Sequence, residues 1–386
     1  MSKIIEPKYK FVDLFAGAGG LSTGLEHAGF TPWFVNEIVE QFAQTYKVNH
    51  NLSDDHYYIG DINELNKHLD DYKEYLSNIT LVCGGPPCQG FSMANRQRIL
   101  DDPRNQLYKA YLFFLSKVRP EFFIMENVKG MSNKIGEIKD NFEEFLNKDV
   151  DNEEDKYLFD YRLLRAQDYG VPQNRERFIM IGNRKGIDPS KIFDEILKQK
   201  RDSFVLNDAL FGLPELKSKK EKGAIGIEDS VSGFTKVEFN YPKTDFYKFI
   251  NGDKVITFLY NHKNRYNNPR DIEIFGRLPE GGNSLHDSIK DIMPYKSRND
   301  IFKDKYFKLE GNKICKTITS HMKFDCNMYI HPSQARGLSP REAARIQTFP
   351  DDYIFTGSQN NWYAQIGNAV PVKLAEVIGN AIMKFL

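Results

Sequence analysis

Short apolar runs recur along the first half of the chain, and each predicts a strand of a buried sheet. Most lack a polar face, which is typical of strands covered on both sides in a parallel sheet. The runs span residues 10–15, 32–36, 79–83, 121–125, 158–164 and 178–181. Apolar residues at helical spacing, such as Leu21, Leu25 and Ala28, separate several of them. This alternation predicts an α/β fold with a doubly wound sheet.

A glycine turn at residues 16–20 joins the first predicted strand to the first helix. The backbone N–H groups at such a helix start bind an anion or a carboxylate. Glu37 ends the next strand, about twenty residues further on, where doubly wound sheets bind ribose hydroxyls, and Asp61 ends the third. Helix N-capping is the alternative role for both acids. The pattern departs from the dinucleotide form G-x-G-x-x-G, so it favours a nucleoside-bearing ligand other than NAD.

The segment Gly84 to Ser92 reads Gly-Gly-Pro-Pro-Cys-Gln-Gly-Phe-Ser and follows an apolar strand. Two glycines and two prolines end that strand abruptly, so Cys88 is presented on a loop. Glu126 follows another buried strand, and the carboxyl ends of parallel strands meet at one edge of a sheet. A thiol and a carboxyl group can therefore face one substrate there. The alternatives are that Cys88 is a small buried apolar residue and that Glu126 caps the next element.

Gln173, Arg175 and Arg177 alternate along the start of a strand, so their side chains point to one face. Two guanidinium groups in this arrangement suit phosphate or carbonyl oxygens. Ion pairs at the protein surface are the alternative.

The composition changes after Asn183 and predicts the second domain. Cations interleave with aromatic residues near residue 300, which is typical of a surface that lies on DNA. They are Tyr295, Lys296, Arg298, Phe302, Lys303, Lys305, Tyr306, Phe307, Lys308 and Lys313. A solvated charged surface is the alternative interpretation.

The whole-chain numbers constrain the class of protein only loosely. Of 386 residues, 53 are Lys or Arg and 53 are Asp or Glu, so the formal charge is zero and neither supports nor excludes a nucleic-acid partner. The four cysteines lack paired spacing, and no secretory leader or membrane-length apolar run is found, which indicates a cytoplasmic protein. Cys315, His321, Cys326 and His331 lack the spacing of zinc ligands, so no metal is expected.

Six motifs in chain order resemble those of the DNA (cytosine-5) methyltransferases. They are Asp13 to Gly20, Pro86 to Ser92, Glu126-Asn127-Val128, Gln173-x-Arg175-x-Arg177, the stretch 336–350 and Gly367 to Pro371. The resemblance implies a class I, Rossmann-like methyltransferase domain with a doubly wound, mixed sheet, formed by residues 1–185 and 346–386. It also implies a second, smaller target-recognition domain, with a hinge, over residues 186–345.

The resemblance further implies S-adenosylmethionine as the methyl donor. Its methionine end would lie at the glycine turn, its ribose on Glu37 and its adenine near Asp61, with residues 368–370 completing the pocket. The residues implied at this cofactor are Phe15, Ala16, Gly17, Gly19, Gly20, Leu21, Asn36, Glu37, Ile38, Asp61, Ile62, Pro87, Asn368, Ala369 and Val370.

The resemblance also implies a covalent mechanism on a flipped-out cytosine. Cys88 would attack C6, Glu126 would hold the N3 and N4 edge, and Arg177 with Arg175 would lie against O2 or a phosphate. The residues expected to contact DNA are Gln89, Ser92, Gln173, Arg298 and Lys303.

Two other functions remain open at this point. The transfer-RNA branch of the same family shares these motifs, but its Cys-Phe-Thr signature is not found and the second domain here is large. A silent DNA-binding regulator is disfavoured by the intact Cys88, Glu126 and Arg177. We expect a monomeric modification enzyme of a type II restriction-modification system that acts on double-stranded DNA. A cognate endonuclease would be a functional partner, not a physical one.

Overall fold

The computed structural model describes residues 7–87, 107–221, 228, 233–294 and 305–386. The chain forms two compact units. The first consists of Met1–Tyr169, Glu176–Arg201 and Val372–Leu386, and the second of Gly170–Arg175 and Asp202–Pro371.

The strands of the described residues are β1 (Lys10–Leu14), β2 (Thr31–Glu37), β3 (Tyr57–Ile59), β4 (Leu81–Gly84), β5 (Phe122–Val128), β6 (Leu158–Arg165), β7 (Gln173–Asn174), β8 (Glu176–Asn183), β9 (Gly233–Glu238), β10 (Phe258–Lys263) and β11 (Cys315–Lys316). The helices are α1 (Gly20–His27), α2 (Glu40–Asn49), α3 (Ile62–Lys67), α4 (Lys73–Leu76), α5 (Leu107–Val118), α6 (Ile135–Leu146), α7 (Pro189–Leu197), α8 (Leu206–Leu210), α9 (Asp245–Asn251), α10 (Pro269–Arg277), α11 (Pro340–Ile346), α12 (Gln359–Asn368) and α13 (Val372–Met383).

The first unit is built on a seven-stranded sheet of order β3-β2-β1-β4-β5-β8-β6. The pairs from β3 to β5 are parallel, whereas β8 is antiparallel to both β5 and β6. The α/β class predicted from the apolar runs and the mixed sheet implied by the resemblance are therefore confirmed. The central strands β1 and β4 are buried throughout, as expected for strands covered on both faces.

The register of the parallel strands aligns their carboxyl ends at one edge of the sheet. Leu14 lies beside Asn36 and Gly84, and Gly84 lies beside Met125. The segments that follow these residues therefore begin at neighbouring positions. They are the glycine turn after β1, the Gly-Pro loop after β4 and Glu126 near the end of β5.

Helix α13 completes the first unit by packing against α1. A Cβ atom at Gly24 would lie 2.4 Å from the Ala375 Cβ and 2.4 Å from the Val372 carbonyl oxygen. The glycine in α1 therefore permits a contact that any side chain would prevent. Among the described residues, no helix is long and apolar enough to cross a membrane.

The second unit contains the antiparallel pair β9–β10, the short parallel pair β7–β11 and a buried charged cluster around α11. Ser339 caps α11 in a capping box with Glu342, and Pro340 is the first residue of the helix. Glu342 accepts two hydrogen bonds from the Arg336 guanidinium, at 2.7 and 2.6 Å, and both side chains are almost fully buried. Arg345 and Asp351 form a second buried pair.

The boundaries of the compact units differ from the domain boundaries expected at residues 185/186 and 345/346. Residues 170–175 and 346–371 belong to the second unit, while the tail from Val372 belongs to the first. Side chains of 170–175 bond to backbone groups elsewhere in the second unit. The Gln173 amide, for example, donates to the Ile346 carbonyl and accepts from the Ile318 N–H. The assignment of a methyltransferase and a target-recognition domain stays a prediction.

Candidate active site

The glycine turn after β1 adopts a backbone that leaves open space above it. Phe15, Gly17 and Gly19 all have positive φ, at 57°, 58° and 80°. The Gly19 N–H donates to the Ala16 carbonyl, and the Ala16 N–H donates to the Asn36 carbonyl at 3.1 Å, which ties the turn to β2. A Cβ atom at Gly17 would meet nothing within 4 Å. The turn thus presents backbone to a space that a ligand can fill.

Glu37, at the end of β2, is held against this turn by backbone N–H groups. Its two carboxylate oxygens accept from Gly17 and Val39, each at 2.7 Å, and only 7% of the residue is exposed. Burial raises the pKa of Glu37, against the effect of these hydrogen bonds. The next residue, Ile38, leaves 65% of its surface exposed. A fixed carboxylate beside an exposed apolar side chain is suited to a nucleoside.

Four other predicted cofactor residues lie at the end of β2, at the start of α3 and in α1. The Asn36 amide donates to the carbonyls of Tyr58 and Gly60, at 3.1 and 2.9 Å, so it joins the two strands. Asp61 is exposed and caps α3 by accepting from the Asn63 N–H at 2.8 Å, whereas Ile62 is buried. Asp61 therefore has the N-capping role that was its alternative to ligand binding. Leu21 is buried within α1.

A buried acid beneath the glycine turn was missed by the sequence reasoning. Asp13 lies in the centre of the sheet, where its carboxylate accepts hydrogen bonds from the Ser22 hydroxyl, at 2.5 Å, and from the Cys83 thiol. The Tyr46 hydroxyl donates in turn to Ser22 at 2.7 Å. Burial raises the pKa of Asp13 to about 7, although the two hydrogen bonds oppose the shift. A lone acid within an apolar strand is the sequence signal that could have revealed it.

The loop after β4 is anchored to the end of β5. The Asn127 amide donates to the Pro86 carbonyl at 2.8 Å, and a Cβ atom at Gly85 would lie 3.0 Å from the Glu126 Oε2. Pro87 is exposed at the end of the described loop. Glu126 and the start of the Gly-Pro segment are therefore immediate neighbours, as the strand ends predicted. Cys88, Gln89 and Ser92 lie outside the described residues.

Glu126 forms an ion pair with Arg177 of the adjacent strand β8. The Arg177 Nε lies 2.6 Å from Glu126 Oε1, and 12% of each side chain is exposed. Burial lowers the pKa of Arg177, and the Glu126 carboxylate opposes this effect. The pair combines a hydrogen-bond acceptor with a cationic donor and keeps a small accessible surface. Such a pair can bind the edge of a heterocyclic base that offers both an N–H and a carbonyl oxygen.

Arg175 and Gln173 lie in the second unit and are buried there. The Arg175 guanidinium donates to the carbonyls of Ile318, Gly367 and Ala369, at 2.6, 3.1 and 2.8 Å. The Gln173 amide bonds to Gln347 at 2.6 Å. These contacts position backbone segments of the second unit. They do not favour the catalytic role predicted for Arg175 or the DNA contact predicted for Gln173, and both roles stay predictions.

The remaining predicted cofactor residues lie at the end of α12 and directly after it, in the second unit. Asn368 is exposed, Ala369 is partly buried and Val370 is buried. The Ala369 carbonyl also accepts from the Gln347 amide at 3.2 Å, so the turn is fixed from two sides.

The basic and aromatic surface expected near residue 300 is partly wrong. Lys308 is buried, and its ammonium group donates to the Phe275 carbonyl at 3.1 Å. Tyr306 is also buried and packs in an apolar cluster with Phe275. Phe275 of α10 contacts both side chains, through its ring for Tyr306 and through its carbonyl for Lys308, and local sequence could not indicate this. Arg298 and Lys303 lie outside the described residues, and the described part of the chain contains no group of three metal-ligating side chains.

The chain is similar in sequence and in structure to several known proteins. The profile of the family described as C-5 cytosine-specific DNA methylase matches residues 9–384. The type II methyltransferase M.AgeI of Thalassovita gelatinovora is 31% identical, over 97% of this chain and 99% of the relative. M.XorII of Xanthomonas oryzae pv. oryzae is 32% identical, over 97% and 84%. Among solved structures, a candidate DNA modification methyltransferase encoded within an E. coli prophage aligns with a TM-score of 0.73 and 26% identity, covering 98% of this chain and 99% of that one.

Proposed function

The chain belongs to the C-5 cytosine-specific DNA methylase family, and on that premise we propose that it methylates a flipped-out cytosine within a short specific duplex sequence. DNA cytosine-5 methylation is the activity that the family and its type II relatives support. The observation that carries the finer proposal is the Glu126–Arg177 pair, which lies beside the segment that leads to Cys88.

The residues around the glycine turn fit S-adenosylmethionine. The open space above Gly17 would receive its methionine end, the Glu37 carboxylate would accept from its ribose hydroxyls, and the exposed Ile38 would cover its adenine. When bound, its sulfonium supplies the electrophilic methyl group. The raised pKa of Glu37 indicates a carboxylate that gains from additional hydrogen-bond donors.

The thiolate of Cys88 is the nucleophile that we propose. Cytosine C5 is too poor a nucleophile to take a methyl group unaided. A bond from the Cys88 sulfur to C6 would move an electron pair to C5, and that pair would form the new bond to the methyl carbon. The bond between this carbon and the sulfonium sulfur would break at the same time, so that the donor would leave as S-adenosylhomocysteine. Loss of the C5 proton then expels the Cys88 sulfur and restores the aromatic ring. The thiol is regenerated at the end of the cycle.

Glu126 and Arg177 would stabilise the ring while sulfur is attached. The Glu126 carboxyl group would bind the N3 and N4 edge and keep N3 protonated, so that negative charge does not accumulate on the base. Arg177 would orient that carboxyl group and donate to the cytosine O2. A cytosine inside a duplex cannot reach these groups, so the base must leave the stack at a cost of roughly a few kcal/mol.

Two experiments test the proposed reaction: trapping of the covalent protein–DNA adduct and mapping of the methylated cytosine. A duplex that carries 5-fluorocytosine at the recognised site should form a stable covalent adduct with the protein and S-adenosylmethionine, because fluorine at C5 prevents the final elimination. Bisulfite sequencing of DNA from expressing cells identifies the site. The Cys88→Ala variant is the matched control and should bind the duplex without forming an adduct. Adduct formation by this variant, or none by the wild type, would refute the nucleophile assignment.

We further propose that the enzyme is the modification partner of a type II restriction-modification system and acts in the cytoplasm on cellular DNA. Its type II relatives support this role. DNA from expressing cells should resist an endonuclease that cuts at the methylated sequence. Cleavage of fully methylated DNA by every endonuclease of that specificity would contradict the proposal.

A further inference from the structure

Asp13 is a buried acid beneath the glycine turn, and it is bonded to two neighbouring elements of the first unit. Its carboxylate accepts from the Ser22 hydroxyl at 2.5 Å, and Ser22 lies in the first turn of α1, directly after the glycine turn. It also accepts from the thiol of Cys83 on β4, and only 2% of the residue is exposed. The carboxyl group is therefore fixed in position, and its charge acts on the glycine turn from below.

The titratable groups that face Asp13 come from four other elements of the first unit. They are Glu37 at the end of β2, Tyr46 on α2, Cys83 on β4 and Tyr111 on α5. Burial raises the pKa of the two tyrosines and of the thiol well above their ordinary values, so these three groups are uncharged near pH 7. None of the four groups is a cation.

A negative charge on Asp13 is therefore opposed by its surroundings. Burial is the larger cause and the charge of Glu37 a smaller one, and together they hold the pKa of Asp13 at about 7. Glu37 accepts from the Gly17 N–H at 2.7 Å, so one acid lies beside the glycine turn and the other beneath it. A cation bound at this turn would stabilise the ionised form of Asp13, because its field offsets both the burial and the repulsion from Glu37.

The proposed methyl donor and its product differ by one unit charge at such a position. S-adenosylmethionine carries a sulfonium cation, whereas the sulfur of S-adenosylhomocysteine is uncharged. Building on the cofactor site proposed above, we propose that Asp13 is a specificity-determining residue that makes this site bind the sulfonium donor more tightly than the uncharged product. The ionised carboxylate attracts the donor, and loss of the methyl group removes that attraction and favours release of the product.

Binding of the donor is thereby linked to release of the Asp13 proton. A bound cation that lowers the pKa of Asp13 by about one unit makes the ionised protein bind the donor about 10-fold more tightly than the protonated protein. The contribution of Asp13 to donor affinity should therefore rise roughly 5- to 10-fold between about pH 5.5 and about pH 8. Its contribution to product affinity should stay constant.

Isothermal titration calorimetry in the absence of DNA tests this linkage, since no methyl transfer occurs. The donor affinity of the wild type, divided by that of Asp13→Asn, should rise roughly 5- to 10-fold over this pH range. The same ratio for S-adenosylhomocysteine should not change. Asp188→Asn is the matched control, because Asp188 is an exposed acid of the same unit, and it should bind both ligands as the wild type does at every pH.

Two further measurements make the test independent of the folding of Asp13→Asn. Titrations of the wild type near pH 6.5, in buffers of different ionisation enthalpy, should show more proton release with the donor than with the product. Ser22→Ala removes a hydrogen bond that lowers the pKa of Asp13. This variant should therefore move the pH dependence of donor binding to higher pH, which a merely structural role of Ser22 would not do.

The proposed cofactor and the role of Asp13 can fail separately. A wild-type protein that binds neither ligand would refute the proposed cofactor and, with it, the role of Asp13. Donor binding with the same pH dependence in the wild type and Asp13→Asn, or equal proton release with donor and product, would overturn the role of Asp13 alone.

Discussion

Asp13 should make the stability of the first unit depend on pH in a direction opposite to that of most acids. Its carboxyl group is buried in the sheet and has a pKa of about 7, against 3.8 without burial. Because the folded state binds this proton more tightly than the unfolded chain does, the free energy of unfolding falls as pH rises. The fall begins near pH 3.8 and ends just above pH 7. The Asp13→Asn variant carries no such proton and should lack this dependence.

The size of the effect follows from the two pKa values. Their difference corresponds to about 4 kcal/mol in full, since one pKa unit is about 1.4 kcal/mol. Between about pH 5 and about pH 8, titration of Asp13 should lower the free energy of unfolding of the wild type by about 2–3 kcal/mol. The difference in unfolding free energy between the wild type and Asp13→Asn should therefore change by that amount, in favour of the variant at the higher pH.

Urea unfolding of the first unit can be followed separately from the second. The chain has two tryptophans, Trp33 in the first unit and Trp362 in the second, so a Trp362→Phe background leaves Trp33 as the sole tryptophan signal. Asp188→Asn is the matched control. Asp188 is an exposed helix cap whose pKa is lowered by the backbone and side-chain hydrogen bonds from Ser190. The effect of Asp188→Asn on the free energy of unfolding should therefore be constant over this pH range.

A constant difference between wild type and Asp13→Asn from about pH 5 to about pH 8 would refute the reasoning. It would mean that the buried carboxyl group keeps an ordinary pKa.

Three further predictions concern the candidate site and its support. Glu126→Gln should lower the rate of methyl transfer by roughly 10²-fold or more, because the neutral amide cannot hold a proton on N3. Single-turnover kinetics measure the rate, and circular dichroism checks that the variant folds. Glu342→Gln should destabilise the second unit by about 3–5 kcal/mol, because it leaves the Arg336 charge buried without a carboxylate. Trp362 fluorescence during urea unfolding measures the loss, and a loss below about 1 kcal/mol would contradict the prediction. Gly24→Ala should lower the free energy of unfolding by about 1–3 kcal/mol, because the added methyl group forces α1 away from α13. Gly136→Ala in α6 is the comparison: its Cβ would meet nothing within 4 Å, so it should raise the free energy of unfolding by about 0.4–1 kcal/mol. Thermal unfolding of the two variants measures both changes.

The sequence predicted much of the first unit because the relevant signals are local. Apolar runs without a polar face predicted the sheet, and the residues that end each run predicted which side chains share its carboxyl edge. Glu37 and Glu126 were found in this way. The parallel register that brings them to one edge follows from general rules of α/β folds, so no long-range contact had to be known.

What the sequence alone determined is thus the order of strands, turns and helices, the family motifs and the acids at the strand ends. Only the tertiary structure decided which charged side chains are buried and what they contact. Arg175 became a support for backbone carbonyls, Lys308 a buried cation and Asp13 a carboxyl group that holds its proton near neutral pH. The physical reason is that burial and hydrogen bonding depend on residues far apart in the chain, such as Ile318 and Gly367 around Arg175. A local pattern reports the residue type but not the surroundings that set its energy.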